Sequence, residues 1–178
     1  MYTAMNVLEL FKPIQLIAMD VDGVLTDGKL ILLDSLELAR SMNIKDGYAI
    51  QLAVKKGYHI LVISGAVDGG AVANRLKNLG VQEIHQGITD KASLLKEKIA
   101  SLQLNHNQVL FIGDDIPDLQ ALKLVGLACC PADAVQEIQS VSKYVSPYKG
   151  GEGCVRDIIE KVLKLNQHWD INSDTVSK

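Results

Sequence analysis

Ile14-Gln15-Leu16-Ile17-Ala18-Met19 runs directly into Asp20-Val21-Asp22-Gly23-Val24-Leu25-Thr26-Asp27-Gly28. The first part has the apolar character of a strand buried on both faces, as in a parallel sheet. In an open parallel sheet the carboxyl ends of the strands line the ligand crevice, so Asp20 and Asp22 arrive where a ligand would bind. Alternate residues of a continuing strand point to opposite faces; Gly23 lets the chain turn, so both carboxylates can converge. A carboxylate is a competent nucleophile toward phosphorus when a divalent cation neutralises the phosphate oxygens. A second carboxylate can protonate the leaving alkoxide and later deprotonate the attacking water. The tetrapeptide Asp-x-Asp-Gly alone is often no more than an acidic turn, so the reading depends on what the other strands deliver.

Further apolar runs of strand length follow at 59–63, 109–112 and 126–130, and amphipathic stretches at 47–56, 67–79, 90–102, 115–124 and 151–165 lie between and after them. This alternation predicts an α/β fold, a parallel sheet with helices on both faces. The exception is 29–43, where 29–33 and 36–42 flank Asp34-Ser35 in the manner of a β-hairpin turn. No repeat, low-complexity tract or linker divides the chain. The expectation is one domain over 1–178, with a hairpin flap at about 28–43 and a loosely held polar tail at about 166–178. Within that tail Trp169 suits docking on a neighbour or covering the core edge.

The chain is 48% hydrophobic over 178 residues, enough to bury a real core. Its net charge of −3 argues against a nucleic-acid or anionic-membrane partner, both of which call for a basic face. Attraction for an anionic ligand must therefore be built locally. The apolar run near the start is too short to span a bilayer, and nothing before it resembles a signal peptide. Cys129, Cys130 and Cys154 have no metal-ligand spacing and read as small core residues of a reduced, cytoplasmic protein. His59, His85, His106 and His168 show no ligand spacing either, and read as structural.

The remaining chemistry sits where the other strands end. Ser64-Gly65 closes the run 59–63, where a hydroxyl and a backbone amide suit a phosphate oxygen. Lys91 opens a predicted helix, where an ammonium and the helix dipole both favour an anion. The run 109–112 delivers Gly113-Asp114-Asp115-Ile116-Pro117-Asp118. Carboxylates packed this closely repel one another unless a cation sits among them, although Asp115 also suits capping the helix that follows.

In order and spacing, Asp20-Val21-Asp22-Gly23, Ser64-Gly65, Lys91 and Gly113-Asp114-Asp115 resemble the four motifs of the haloacid-dehalogenase superfamily. The resemblance implies a Rossmann-like fold, with Asp20 as nucleophile and Asp22 as general acid/base. It makes Ser64 and Lys91 holders of the phosphoryl group. It gives Mg2+ to Asp20, Asp22 (through the Val21–Asp22 backbone) and Asp114, with Asp115 or Asp118 in support. Members of that superfamily carry a cap domain between the first and second motifs or between the second and third. Here Ser64 follows Asp20 by 44 positions and Lys91 follows Ser64 by 27, so neither gap holds a cap. An open site needs another lid, and a neighbouring subunit is a natural source. The apolar hairpin would form the seam.

A closer resemblance, carried by 20–28, Asn43-Ile44-Lys45-Asp46-Gly47-Tyr48 and Gly150-Gly151-Glu152-Gly153 with Arg156, is to the capless, tetrameric sugar-acid phosphatases, the family of the 3-deoxy-D-manno-octulosonate 8-phosphate phosphatases. It implies a phosphorylated sugar-acid substrate and a homotetramer. Asn43, Ile44, Lys45, Asp46, Gly47 and Arg75 would line the substrate site, with Gly151, Glu152 and Gly153 reaching a neighbour's active site. Two positions depart from that pattern. Ala66 and Glu152 stand where the family commonly has arginines, which leaves open a related nine-carbon, sialic-type substrate. A receiver-type signalling domain also joins Asp, magnesium, Ser/Thr and Lys on a parallel sheet. It needs no acid/base two residues after the first strand's acid, however. A non-catalytic scaffold would not gather all the phosphoryl-transfer residues.

Overall fold

The computed structural model describes residues 6–33, 38–67 and 70–170. After a 3-10 turn at Val7–Phe11 come β1 (Leu16–Met19), the hairpin strands β2 (Ile31–Leu32) and β3 (Leu38–Ala39), α1 (Ile44–Lys55), β4 (His59–Ile63), α2 (Ala71–Asn78) and β5 (Glu83–His85). The second half holds α3 (Lys91–Ser101), β6 (Val109–Ile112), α4 (Leu119–Leu124), β7 (Leu127–Cys130), α5 (Gln136–Val141), β8 (Tyr144–Val145) and α6 (Cys154–Leu165). The main sheet has six strands in the order β5-β4-β1-β6-β7-β8, every neighbouring pair parallel.

Both faces of β1 are covered, which explains its nearly unbroken apolar sequence. Ile17 and Met19 join a cluster with Ile50, Leu76, Ile158 and Val162, from α1, α2 and α6. Leu16 and Ala18 join the opposite cluster with Leu95, Ile99, Leu122 and Ile138, from α3, α4 and α5. Successive strands run outward from β1 first toward β5 and then, from β6, toward β8, so the winding reverses between β1 and β6. A ligand crevice is expected at that point, beyond the strands' carboxyl ends.

The strands at 59–63 and 109–112 fall where the sequence pattern puts them. β5, β8 and α5 carry no comparable signal: β5 is only Glu83-Ile84-His85, half-buried, and β8 has two residues. The hairpin is short, pairing Ile31 with Ala39 and Leu32 with Leu38, and a bridge between Thr26 and Met42 ties its root to the loop after β1. Its predicted turn, Asp34-Ser35, lies outside the described residues. Leu30, Ile31, Leu33 and Leu38 are exposed, and Leu32 is 76% exposed.

The segment just after α6 is docked through His168 and Trp169. Trp169 lies under the Arg156 guanidinium at 4.3 Å and edge-on to Tyr48, and His168 Nδ1 meets the Tyr58 hydroxyl at 2.9 Å. Trp169 thus covers the core edge of its own chain; residues 171–178 lie outside the described ones. Among the described residues no helix is long and apolar enough to cross a membrane.

Candidate active site

The backbone N–H of Asp20 donates to the Ile112 carbonyl at 3.0 Å, which fixes the first acid beside the end of β6. Lys91 is the first residue of α3, whose N-cap Asp90 accepts from the Ser93 N–H at 3.0 Å. From there the Lys91 side chain, 3% exposed, puts its Nζ 2.8 Å from Asp20 Oδ2 and 2.8 Å from Asp118 Oδ1. Asp118 ends the 3-10 turn Ile116–Asp118, and its Oδ2 accepts from the Asp114 N–H at 3.1 Å. The turn is started by Asp115, whose Oδ1 accepts from the Ile116 N–H at 2.7 Å.

Two glycines make room for these acids. A Cβ on Gly113 would lie 2.5 Å from the Cβ of Asp118, and one on Gly23 would lie 1.9 Å from Asp114 Oδ2. Asp20, Asp114 and Asp118 each present an oxygen within 4.8 Å of the others. Asp114 Oδ1 is buried without a hydrogen-bond partner. An all-oxygen, net-negative cluster with an orphaned buried carboxylate oxygen fits a hard divalent cation.

Electrostatics agree with that fit. Burial, then repulsion from Asp118, pushes Asp20 up to about 6 despite Lys91. Burial, then Asp118, Asp20 and Asp115, pushes Asp114 up to about 7. Burial also raises Asp118, against the pull of Lys91. For Lys91, burial opposes the charge, but Asp118 and Asp20 outweigh it and its pKa is raised. The site is thus short of positive charge, which a bound cation supplies.

Asp118, expected only in support, therefore stands inside the cluster, holding the lysine and the Asp114 backbone together. The Asp22 side chain is not part of this cluster and pairs with Arg40, with Nε 2.7 Å from Oδ1 and Nη2 3.2 Å from Oδ2. Ser64, buried at the end of β4, accepts from the Ala66 N–H at 3.1 Å, and its own N–H donates to the His85 carbonyl at 2.8 Å. Gly65 beside it is exposed.

Asn43 is the N-cap of α1, accepting from the Lys45 N–H at 2.9 Å, and Ile44 and Lys45 are exposed at that helix start. Arg75 reaches α1 from α2: a Cβ on Gly47 would lie 2.9 Å from its Nη2.

Two of the expected stretches make contacts within the chain. Asp46, expected to face substrate, is 1% exposed, and its Oδ1 accepts from the Arg156 N–H at 2.6 Å. It caps α6, whose own N-cap is Gly153, with no side chain to offer. Burial pushes Asp46 up to about 6, opposed by the Arg156 and Gly153 N–H groups.

The stretch Gly151, Glu152, Gly153, expected to reach a neighbour, also packs against its own chain. Gly151 donates to the Val24 carbonyl at 3.0 Å, Gly153 is buried, and a Cβ on Gly150 would lie 1.9 Å from the Gly23 carbonyl oxygen. Exposed Glu152 donates its N–H to Lys149 O at 3.1 Å. Arg40 was not singled out from sequence, since an arginine in a hairpin reads as solvated surface.

A strand-end carboxylate held by a buried lysine, with further acids gathered for a cation at the switch point of a parallel sheet, equips a site for phosphoryl transfer to Asp20. The haloacid dehalogenase-like hydrolase family matches residues 73–158. A 3-deoxy-D-manno-octulosonate 8-phosphate phosphatase of Yersinia pestis is 32% identical over 158 residues, 89% of this chain and 84% of the relative. The chain belongs to the haloacid dehalogenase-like hydrolases. Among solved structures, the 3-deoxy-D-manno-octulosonate 8-phosphate phosphatase of Moraxella catarrhalis, in complex with magnesium, phosphate and KDO, is 33% identical with a TM-score of 0.86, covering 90% of this chain and 92% of that one. The cobalt-bound deoxy-D-mannose-octulosonate 8-phosphate phosphatase of Haemophilus influenzae is 26% identical with a TM-score of 0.83, covering 89% and 92%.

Proposed function

We propose that this chain is a magnesium-dependent phosphatase that converts 3-deoxy-D-manno-octulosonate 8-phosphate to the free sugar acid and phosphate. The observation that carries the chemistry is the Lys91 ammonium at 2.8 Å from Asp20, beside the carboxylates of Asp114 and Asp118. The likeness to sugar-acid phosphatases over most of the chain supports the substrate. Asp20 and Asp114, with Asp118 beside them, would hold magnesium, which would supply charge neutralisation for the phosphoryl oxygens. Asp20 attacks phosphorus as the bond to the sugar oxygen breaks, and Asp22 gives that oxygen a proton. Asp22 then takes a proton from water, which attacks the aspartyl-phosphate and frees Asp20. Lys91 and Ser64 hold phosphoryl oxygens.

The exposed leucines of the hairpin support a homotetramer joined through this element, and three free, buried cysteines support a reducing, cytoplasmic setting. Light scattering at a mass of four chains checks the assembly. The substrate is tested by phosphate release in magnesium from the eight-carbon sugar acid, a nine-carbon sialic-type acid 9-phosphate and a hexose 6-phosphate. The eight-carbon ester should have the highest kcat/KM. Preference for the nine-carbon ester would move the assignment to that substrate, and no turnover of any ester would refute the phosphatase.

A further inference from the structure

Both acids assigned to catalysis are paired with a cation, and only one of these, Lys91, belongs to the site as read from sequence. Arg40 follows β3 at the root of the hairpin and forks onto both oxygens of Asp22, at 2.7 and 3.2 Å. Its side chain is 6% exposed, although it springs from an exposed ribbon, whereas the Asp22 side chain is 34% exposed. The root is held twice. Thr26 pairs with Met42 in a bridge two residues past Arg40, and the Thr26 hydroxyl lies 3.4 Å from Asp22 Oδ1.

We propose that Arg40 is a positioning residue, which fixes the direction of the Asp22 carboxylate for proton transfer to and from the reacting oxygens. This rests on the phosphatase reading above. A general acid/base acts only within hydrogen-bond reach of the proton it moves. On a turn, a short and partly exposed aspartate has several rotamers available. A planar guanidinium bonded through two N–H groups fixes a carboxylate in direction as well as in place. The fork uses one lone pair on each carboxylate oxygen, so a site remains for the proton that Asp22 gives and takes. The pair is not the loose surface kind that contributes little, because the arginine is buried. Nor is Asp22 a core residue, since its side chain is 34% exposed.

The test uses the full chain with magnesium, comparing wild type, Arg40→Met and Arg40→Lys on the sugar-acid phosphate and on p-nitrophenyl phosphate. Nitrophenolate leaves without needing a proton, so its first release depends on Asp20 alone, while hydrolysis of the aspartyl-phosphate still needs Asp22. In Arg40→Met, kcat on the sugar ester should fall on the order of a hundredfold with KM unchanged. The aryl ester should give a nitrophenolate burst at close to the wild-type rate, followed by slow turnover. Arg40→Lys, which keeps the charge but loses the fork, should recover part of the loss. Unchanged magnesium affinity shows that the variants are folded around an intact cluster.

An unchanged kcat in Arg40→Met would overturn the proposal. So would a raised KM at constant kcat, which would make Arg40 a substrate ligand, or a burst slowed as much as sugar-ester turnover. If wild type hydrolysed a hexose 6-phosphate but not the sugar acid, only the substrate assignment would fall, and the hexose ester would take its place in the comparison. If wild type hydrolysed no ester, the phosphatase reading and the role of Arg40 would fall together.

Discussion

Gly23 and Asp114 occupy one another's space: the position a Cβ would take on Gly23 is 1.9 Å from Asp114 Oδ2, and Gly23 has φ +83°. Two independent reasons therefore keep this residue a glycine, the close approach and the left-handed backbone. Gly23→Ala should push Asp114 out of the acid cluster. We expect magnesium affinity to drop at least about tenfold and kcat/KM to drop on the order of a hundredfold. Titration calorimetry with magnesium checks this, and an unchanged affinity would show that Asp114 is not a ligand.

Asp20→Asn keeps shape but removes the attacking charge and one cation ligand. Turnover should fall on the order of a thousandfold or more. Steady-state phosphate release measures it, and a variant keeping a tenth of wild-type activity on its best ester would exclude Asp20 as the nucleophile.

Cation binding should release protons. Without a cation Asp20 holds its proton up to about 6 and Asp114 up to about 7, both because burial disfavours their charge. Ligation needs them ionised, so magnesium affinity should climb as pH rises from about 5 to 7 and then level off. Calorimetry in two buffers of different ionisation enthalpy reads the protons released directly. A pH-independent affinity across that interval would contradict the prediction.

Asp46 separates a structural from a substrate-binding role. Asp46→Ala removes the cap on α6 and should cost about 1–2 kcal/mol, or a few degrees in Tm for a chain of this size, with KM little changed. The charge makes a second prediction. The folded-state pKa of Asp46 is raised from 3.8 to about 6, so the neutral form favours folding and that stability is lost as pH rises through this window. Asp46→Asn, which has no charge to bury, should gain stability relative to wild type between pH 4 and pH 7. Thermal melts across that range check the sign. A large rise in KM with an unchanged Tm would return Asp46 to the substrate site.

The strand-end acids and Lys91 were legible because each stands next to an apolar run or a helix start, so topology alone gathers them. Arg40 was not, because its partner lies 18 positions upstream and no periodicity connects a hairpin to a turn. The cap that Asp46 provides was hidden for a related reason. A glycine N-cap such as Gly153 announces that a cap is missing, not which distant side chain replaces it. The glycines at 150–151 suit either a mobile segment or a close approach, and sequence does not distinguish the two. The structure gives the second, with backbone packed directly on the loop after β1. β5 was invisible because an edge strand of three half-buried residues has too little apolar pattern to read.

The hairpin also bears on how this molecule could be controlled or inhibited. Its bare leucines lie along the ribbon and Arg40 lies at its root. A two-stranded ribbon is marginal on its own, so whatever covers the leucines also steadies the root that aims Asp22. Specific activity should then depend on enzyme concentration, falling on dilution before the fold is lost. The greasy ribbon gives a compound a foothold that the crevice, built for a doubly charged ester, does not. A small apolar molecule bound among residues 30–33 should therefore change activity without imitating the substrate.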